Sequence, residues 1–301
     1  MTPRAGRQSG DGRFPWRAVL VLAVAAVFGA CAGPAGPTRA VLEQRAAAAG
    51  FMRQRLDAGD MTLVGWIGPD RAPVGAASGH LAVFIEGDGA AWPDRDRPPA
   101  DPTPRHTVAL DLAVASRLPH VAALARPCQY ERAAACRVSD WTVDRFSPQA
   151  VARMDTALDD LKHQTGAETL VLVGYSGGAF LAARLAVARA DVRGLVTVAG
   201  VIDPAAWTRH HRVTALPGLD PRTARRLARL PQAHLLGEND RIVPPAWARG
   251  VLEHHGLGAP THRVSVLEGQ AHACCWGTAW PALERDLGDV LSPEWGRSVE
   301  E

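Results

Sequence analysis

Lysine is almost missing from this chain: Lys162 stands alone among 33 Lys and Arg residues. The formal charge is only +2 with histidine neutral. The excess sits at the N-terminus, where Arg4, Arg7, Arg13 and Arg17 face only Asp11. The remainder is nearly neutral, and nothing in it suggests a surface for nucleic acid. Long apolar runs are scarce too. The stretch from Ala18 to Ala30 would span roughly 20 Å as a helix, short of the roughly 30 Å hydrocarbon core of a bilayer. No G-x-G-x-x-G and no Walker lysine occur, which removes the phosphate-cradling readings of a glycine-rich turn. No CxxC pair or His-Cys ligand spacing occurs, so no metal site is expected. No repeat period is visible, and no shift of composition marks a second domain. What remains is ordinary globular material, 301 residues at 47% hydrophobic and 21% charged, enough for one large core.

The N-terminus reads as an export signal. A positive segment, "MTPRAGRQSGDGRFPWR", precedes the apolar "AVLVLAVAAVFGA" and then Cys31, the layout of a signal peptide rather than a membrane span. "FGAC" resembles the bacterial lipobox, although Phe28 stands where leucine is usual. That resemblance implies that Cys31 is lipidated and becomes the mature N-terminus. Ala32 rather than aspartate follows it, which by analogy favours the outer membrane. A plain secretory signal with a coincidental cysteine is the alternative. Residues 1–30 are thus expected to be a lipoprotein-type signal peptide, and 31–59 a tether and N-terminal helix. Residues 60–301 are expected to form the folded body. Export brings an oxidising compartment, in which cysteines pair. The remaining four allow three connectivities. Cys128–Cys136, closing the short loop "PCQYERAAAC", is favoured; Cys274 and Cys275 either bond to each other or stay as thiols.

Beyond the Pro/Gly tether "AGPAGPTR", residues 40–59 read as an amphipathic helix. Apolar runs at 62–67, 81–85, 120–125, 169–173, 194–199, 233–236 and 263–267 then alternate with helical patterns. The helical patterns lie at 106–118, 148–164, 178–190, 222–230, 245–255 and 277–291. Short continuous apolar strands separated by helices predict an α/β fold. The expectation is a mostly parallel, doubly wound sheet of about seven or eight strands with helices on both faces. Three segments, 90–105, 128–146 and 202–221, read as long loops.

"TLVLVGYSGGAF" (169–180) places Gly174, Gly177 and Gly178 around Ser176, directly after a strand and before a helix. This G-x-S-x-G pattern suits a nucleophilic serine on a sharp turn, because β-carbons two residues either side would collide. The N–H of Gly177 would then point at an oxyanion, a contact worth about 3–4 kcal/mol. A glycine-rich turn without chemistry is the bland alternative. A serine nucleophile needs a base and an orienting acid, in the chain order Ser, Asp or Glu, His. "LLGENDRIVPP" supplies Asp240 and "VLEGQAHACCW" supplies His272, both after late strands. Asp203 and then Glu238 are the reserve acids. The remaining histidines, among them His210, His211, His254, His255 and His262, suit solvated surface roles better.

GYSGG, GENDRIVP and GQAHACCW, in this order, resemble the α/β-hydrolase superfamily over roughly residues 60–290. The resemblance implies a serine hydrolase with Ser176 as nucleophile, His272 as base and Asp240 as acid, without metal or organic cofactor. It also implies a second oxyanion donor from "FIEGDGAAW", carried over to the N–H of Asp88, with Gly87 or Gly89 in reserve. Glu86 stands where that family often has histidine. The carboxylates of Glu86 and Asp88 would oppose an oxyanion unless neutralised, with Arg95 or Arg97 the nearby candidates. Trp92 and Trp276 flank the site and either line an acyl pocket or pack the core. The expected substrate is a small-molecule or lipid ester, with a peptidase or acyltransferase possible on the same residues. A non-catalytic envelope binding protein is the reading from another class. The only membrane contact expected is the lipid anchor.

Overall fold

The computed structural model describes residues 1–2, 39–72, 79–90 and 97–291. The signal peptide, Cys31, the tether, Trp92 and Arg95 therefore lie outside the described residues. Helix α1 (Arg39–Ala48) comes first. It ends where Gly50 turns to φ +82°. The N–H of Phe51 reaches back to the Ala46 carbonyl at 2.9 Å, and that of Gly50 to Ala47 at 3.0 Å. Those two bonds form the glycine-terminated closure of a helix. The helix expected across 40–59 thus stops at Ala48, and Met52–Asp57 is strand β1. This strand pairs antiparallel with β2 (Thr62–Ile67) at the edge of the sheet. Only Leu56 of β1 is buried. A polar edge strand carries no apolar run to announce it, and its charges continue the periodicity of α1.

The chain continues through β3 (His80–Ile85), α2 (Val108–Ala115), β4 (Val121–Leu124), α3 (Val138–Trp141), α4 (Pro148–Thr165) and β5 (Thr169–Tyr175). There follow α5 (Gly178–Ala188), β6 (Val192–Val198), α6 (Pro204–His211), α7 (Pro221–Leu227), β7 (Gln232–Gly237) and α8 (Pro245–His254). β8 (Arg263–Leu267), α9 (Trp276–Asp286) and α10 (Gly288–Leu291) complete it. Each of the seven apolar runs is a strand, and β1 is the eighth. The sheet order is β1-β2-β4-β3-β5-β6-β7-β8. Every pairing from β4 to β8 is parallel, whereas β2 meets both β1 and β4 antiparallel. The segment 202–221 is not a plain loop. Asp203 caps α6 by accepting from the Ala206 N–H at 3.1 Å, and Asp220 caps α7 through the N–H groups of Arg222 and Thr223. Both helices are short, with only two buried residues each, so neither shows an apolar stripe.

Alternation along the strands feeds two cores. Leu81, Val83, Ile85, Leu170 and Leu172 face α4, α5 and α7. Ala82, Phe84, Val171 and Val173 face α1, α2, α9 and α10, with Trp276 and Trp280 at the centre. Central strands buried on both faces read as unbroken apolar runs. Parallel strands also send their following loops to one rim of the sheet, and there Gly87, Ser176, Asp240 and His272 gather. Among the described residues no helix is long and apolar enough to cross a membrane.

Candidate active site

Ser176 takes a φ of +50° between the last residue of β5 and the start of α5. That left-handed conformation is strained for a serine, and the flanking glycines make it fit. A β-carbon at Gly174 would lie 2.5 Å from Ala179 Cα. One at Gly178 would overlap the Glu86 carbonyl and sit 2.7 Å from the Ile85 carbonyl oxygen. The turn is this tight because α5 starts directly against the end of β3.

The hydroxyl of Ser176 lies 3.0 Å from His272 Nε2. Nδ1 of the same ring lies 2.8 Å from Asp240 Oδ2. The other carboxyl oxygen, Oδ1, accepts from the N–H groups of Ile242 and Val243, both at 2.8 Å. Asp240 is 3% exposed, so these bonds replace its water. With a carboxylate accepting at Nδ1, the ring holds its proton there and presents the lone pair of Nε2 to the serine. The imidazole is fixed from two sides. Its ring centroid lies 5.3 Å from that of Tyr175, and Trp276 Nε1 donates to the carbonyls of Ala271 and His272 at 2.9 and 3.0 Å. Trp276 is fully buried and does not line the cleft, so it packs and pins the histidine loop. Among the described residues Trp207, on α6, is the tryptophan in the cleft wall.

The reserve residues are occupied elsewhere. Asp203 Oδ2 lies 3.0 Å from His255 Nε2, and both side chains are about nine-tenths buried, which overturns a solvated role for His255. Glu238 accepts from the Gly269 N–H. His211, on α6 rather than in a loop, donates from Nε2 to the Ile242 carbonyl at 2.8 Å, and Trp207 Nε1 donates to the same oxygen at 2.9 Å. Together they brace the turn that carries Asp240.

The loop after β3 packs against the serine turn. A β-carbon on Gly87 would lie 3.1 Å from Ser176 Cβ, and one on Gly177 would overlap the Asp88 carboxylate. The loop of Gly87 and Asp88 is thus packed directly on the turn of Ser176 and Gly177. Asp88 is neutralised by Arg126 and Arg145, not by Arg97: Arg126 Nη1 bonds one carboxylate oxygen and Arg145 Nε the other, the latter at 2.7 Å. Burial pushes the Asp88 carboxyl up, but the Arg145 and Arg126 guanidiniums outweigh it and hold the group below the usual carboxylate range. Both guanidiniums lie near the ring of Phe146, at 4.9 and 5.2 Å from its centroid. Gln129 Nε2 donates to the Gly87 carbonyl at 2.9 Å. These anchors all come from residues 126–146, where Cys128 and Cys136 are joined by a disulfide. Arg126 and Arg145 are 38 and 57 residues from Asp88 in sequence, and no local pattern links them to it. Cys274 is bonded to Cys275.

The Glu86 carboxyl reaches the start of α2. One oxygen accepts from the Leu110 N–H at 3.4 Å, at the start of α2; the other has no hydrogen-bond partner. Burial pushes this carboxyl up to about 7, against the pull of the N–H groups of Leu110, Ala109 and Gly87. The whole constellation opens on a cleft of about 750 Å³, whose walls include Val143, Trp207, Val213, Leu216 and Ile242.

No protein-family model and no curated protein matches the chain. Solved structures do. An α/β serine hydrolase without lid from Xanthomonas campestris superposes with a TM-score of 0.53 at 17% identity, over 87% of this chain and 98% of that one. An esterase of Pyrococcus furiosus gives 0.52 at 12% identity, over 86% and 93%. An acylaminoacyl peptidase of Pyrococcus horikoshii gives 0.53 at 12% identity, over 78% of this chain and only 39% of that longer one. The sheet order, the helices on both faces and these likenesses together make this the α/β-hydrolase fold.

Proposed function

We propose that the chain is a serine hydrolase that cleaves carboxylic esters through a covalent acyl-enzyme. Ser176 Oγ attacks the ester carbonyl carbon while His272 Nε2 takes its proton. Asp240 holds the imidazole in the required tautomer and offsets the charge of the imidazolium. The carbonyl oxygen becomes an oxyanion, met by the N–H groups of Gly177 and Asp88. As the C–O bond to the alcohol breaks, His272 returns the proton to the leaving oxygen. Water then repeats the sequence on the acyl-enzyme and releases the acid. The observation that carries this reading is the unbroken hydrogen-bonded series from Ser176 through His272 to Asp240 at the floor of an apolar-walled cleft. An amide or a second alcohol would use the same groups, so peptidase and acyltransferase activities are the variants to screen. The export signal and the lipid on Cys31 belong to the same proposal, which places the enzyme in the cell envelope.

Fluorophosphonate labelling tests it. The wild type is expected to label at Ser176 and to hydrolyse short p-nitrophenyl esters. Ser176→Ala and His272→Ala are expected to lose labelling, with turnover falling about 10⁴-fold or more. A folded wild type that neither labels nor turns over would leave a binding protein on a hydrolase fold.

A further inference from the structure

Three arginines line the cleft beside Ser176: Arg105, Arg145 and Arg212. Arg145 shares the Asp88 carboxylate with Arg126. One carboxylate between two guanidiniums leaves a positive charge at the inner end of the cleft. Arg105 and Arg212 lie in the outer wall and are exposed. Neither makes an ion pair with a carboxylate among the described residues. Their backbones are nonetheless held. The Arg105 carbonyl accepts from the Arg39 N–H at 2.9 Å. Arg212 ends α6 at φ +55°, directly after His211, which is bonded to the Ile242 carbonyl. Both arginines therefore enter the cleft wall from held backbones, and among the described residues no side-chain hydrogen bond engages either guanidinium.

The acidic side of the balance is small. Glu86 and Asp88 are the two carboxylates in the described lining. Asp88 is already doubly paired, and Glu86 is buried against the start of α2 with burial keeping its carboxyl partly protonated near neutrality. Apolar side chains, among them Val143, Leu216 and Ile242, make up much of the remaining wall. A positive potential focused by low-dielectric walls favours an anionic ligand, and guanidinium forks suit the paired oxygens of carboxylate and phosphate.

We propose that this cleft selects esters carrying an anionic group, a carboxylate or a phosphate, which Arg105 and Arg212 bind while the scissile carbonyl lies at Ser176. The proposal rests on the hydrolase reading above and adds the class of substrate. Neutral esters enter the same cleft but leave the two arginines without a partner.

Two matched pairs of esters test it, with Ser176→Ala rates subtracted. Mono-p-nitrophenyl glutarate is compared with p-nitrophenyl valerate, which replaces the distal carboxylate by a methyl group. 1-Butyrylglycerol 3-phosphate is compared with 1-butyrylglycerol. The reading is the ratio of kcat/KM, anionic over neutral, within each pair. At low ionic strength the ratio is expected to be about tenfold or more for at least one pair, and to shrink as salt is raised. It is expected to fall toward one in the Arg105→Ala/Arg212→Ala double variant and below one in Arg105→Glu/Arg212→Glu. The pair that shows the preference identifies the anion. Turnover of the neutral esters with a ratio near one, or a preference that survives the double variant, overturns the proposal and leaves the hydrolase reading intact. No turnover of any ester and no fluorophosphonate labelling overturns both.

Discussion

Glu86 lies one residue before the glycine that packs on Ser176, and its carboxyl is buried with one oxygen unpartnered. A charge there is costly because no counter-ion and little water offset it. The consequence is a pH-dependent stability. The folded carboxyl titrates at about 7 and the exposed one at 4.5, so between those values the folded state binds more protons than the unfolded. Stability therefore falls as pH rises from about 4.5 to 7, by at most about 3 kcal/mol. Glu86→Gln removes the titration. Its urea midpoint is expected to match the wild type at pH 5 and to exceed it at pH 8. Parallel curves for the two proteins would show that Glu86 meets a solvating partner in solution. The same position illustrates what residue type alone conveys. The resemblance assigned "FIEGDG" the second oxyanion donor, and the structure packs that loop on the serine turn. That the Glu86 carboxyl reaches the start of α2 depends on a helix that begins more than twenty residues later.

At the scale of elements, the segment from Arg126 to Phe146 does for the loop after β3 what the strands do for the serine turn. It supplies Arg126 and Arg145 to Asp88 and Gln129 to the Gly87 carbonyl. Apart from one turn of helix, α3, the segment is irregular, so its own backbone bonds contribute little rigidity. The Cys128–Cys136 bridge closes a loop with a sequence separation of 8. On the chain-entropy account that restriction of the unfolded state stabilises by about 2.5 kcal/mol. Cys128→Ser/Cys136→Ser is expected to lower the unfolding free energy by that order. Ester turnover is expected to drop further than fluorophosphonate labelling, because the oxyanion donors loosen while the serine and histidine stay in place. Equal losses in both would mean that the segment supports the whole sheet rather than this loop. The helix ends follow simpler rules. Ser147 caps α4 through the Ala150 N–H, and Gly166 ends it at φ +69°, both signals readable in advance.

On the whole molecule, a sheet covered on both faces and parallel from β4 to β8 has one rim where loops converge, and every group proposed for chemistry lies there. The opposite end of the strands carries none of them. On the proposed reading the lipid on Cys31 holds this body at a membrane, and that proposal has a direct test. Cys31→Ser is expected to move the protein from the membrane to the soluble fraction without changing ester turnover by the released body. Membrane retention of that variant would point to a second attachment or to an uncleaved signal segment.

The apolar runs determined seven of the eight strands: six are mostly buried and have little freedom to be polar, and β8, at the far edge, is announced by Val264, Val266 and Leu267 although none of its residues is buried. The glycines around Ser176 determined the turn, because no other residue fits against β3. The order of Ser176, Asp240 and His272 along the chain singled out three residues from a field of acids and histidines. Sequence could not decide that β1 is a strand, since an edge strand owes its conformation to a neighbour's hydrogen bonds rather than to its own apolar content. Nor could it choose the counter-ions of Asp88. Charge pairing is set by distance in space, and Arg126 and Arg145 come near only after the chain has folded back across the sheet.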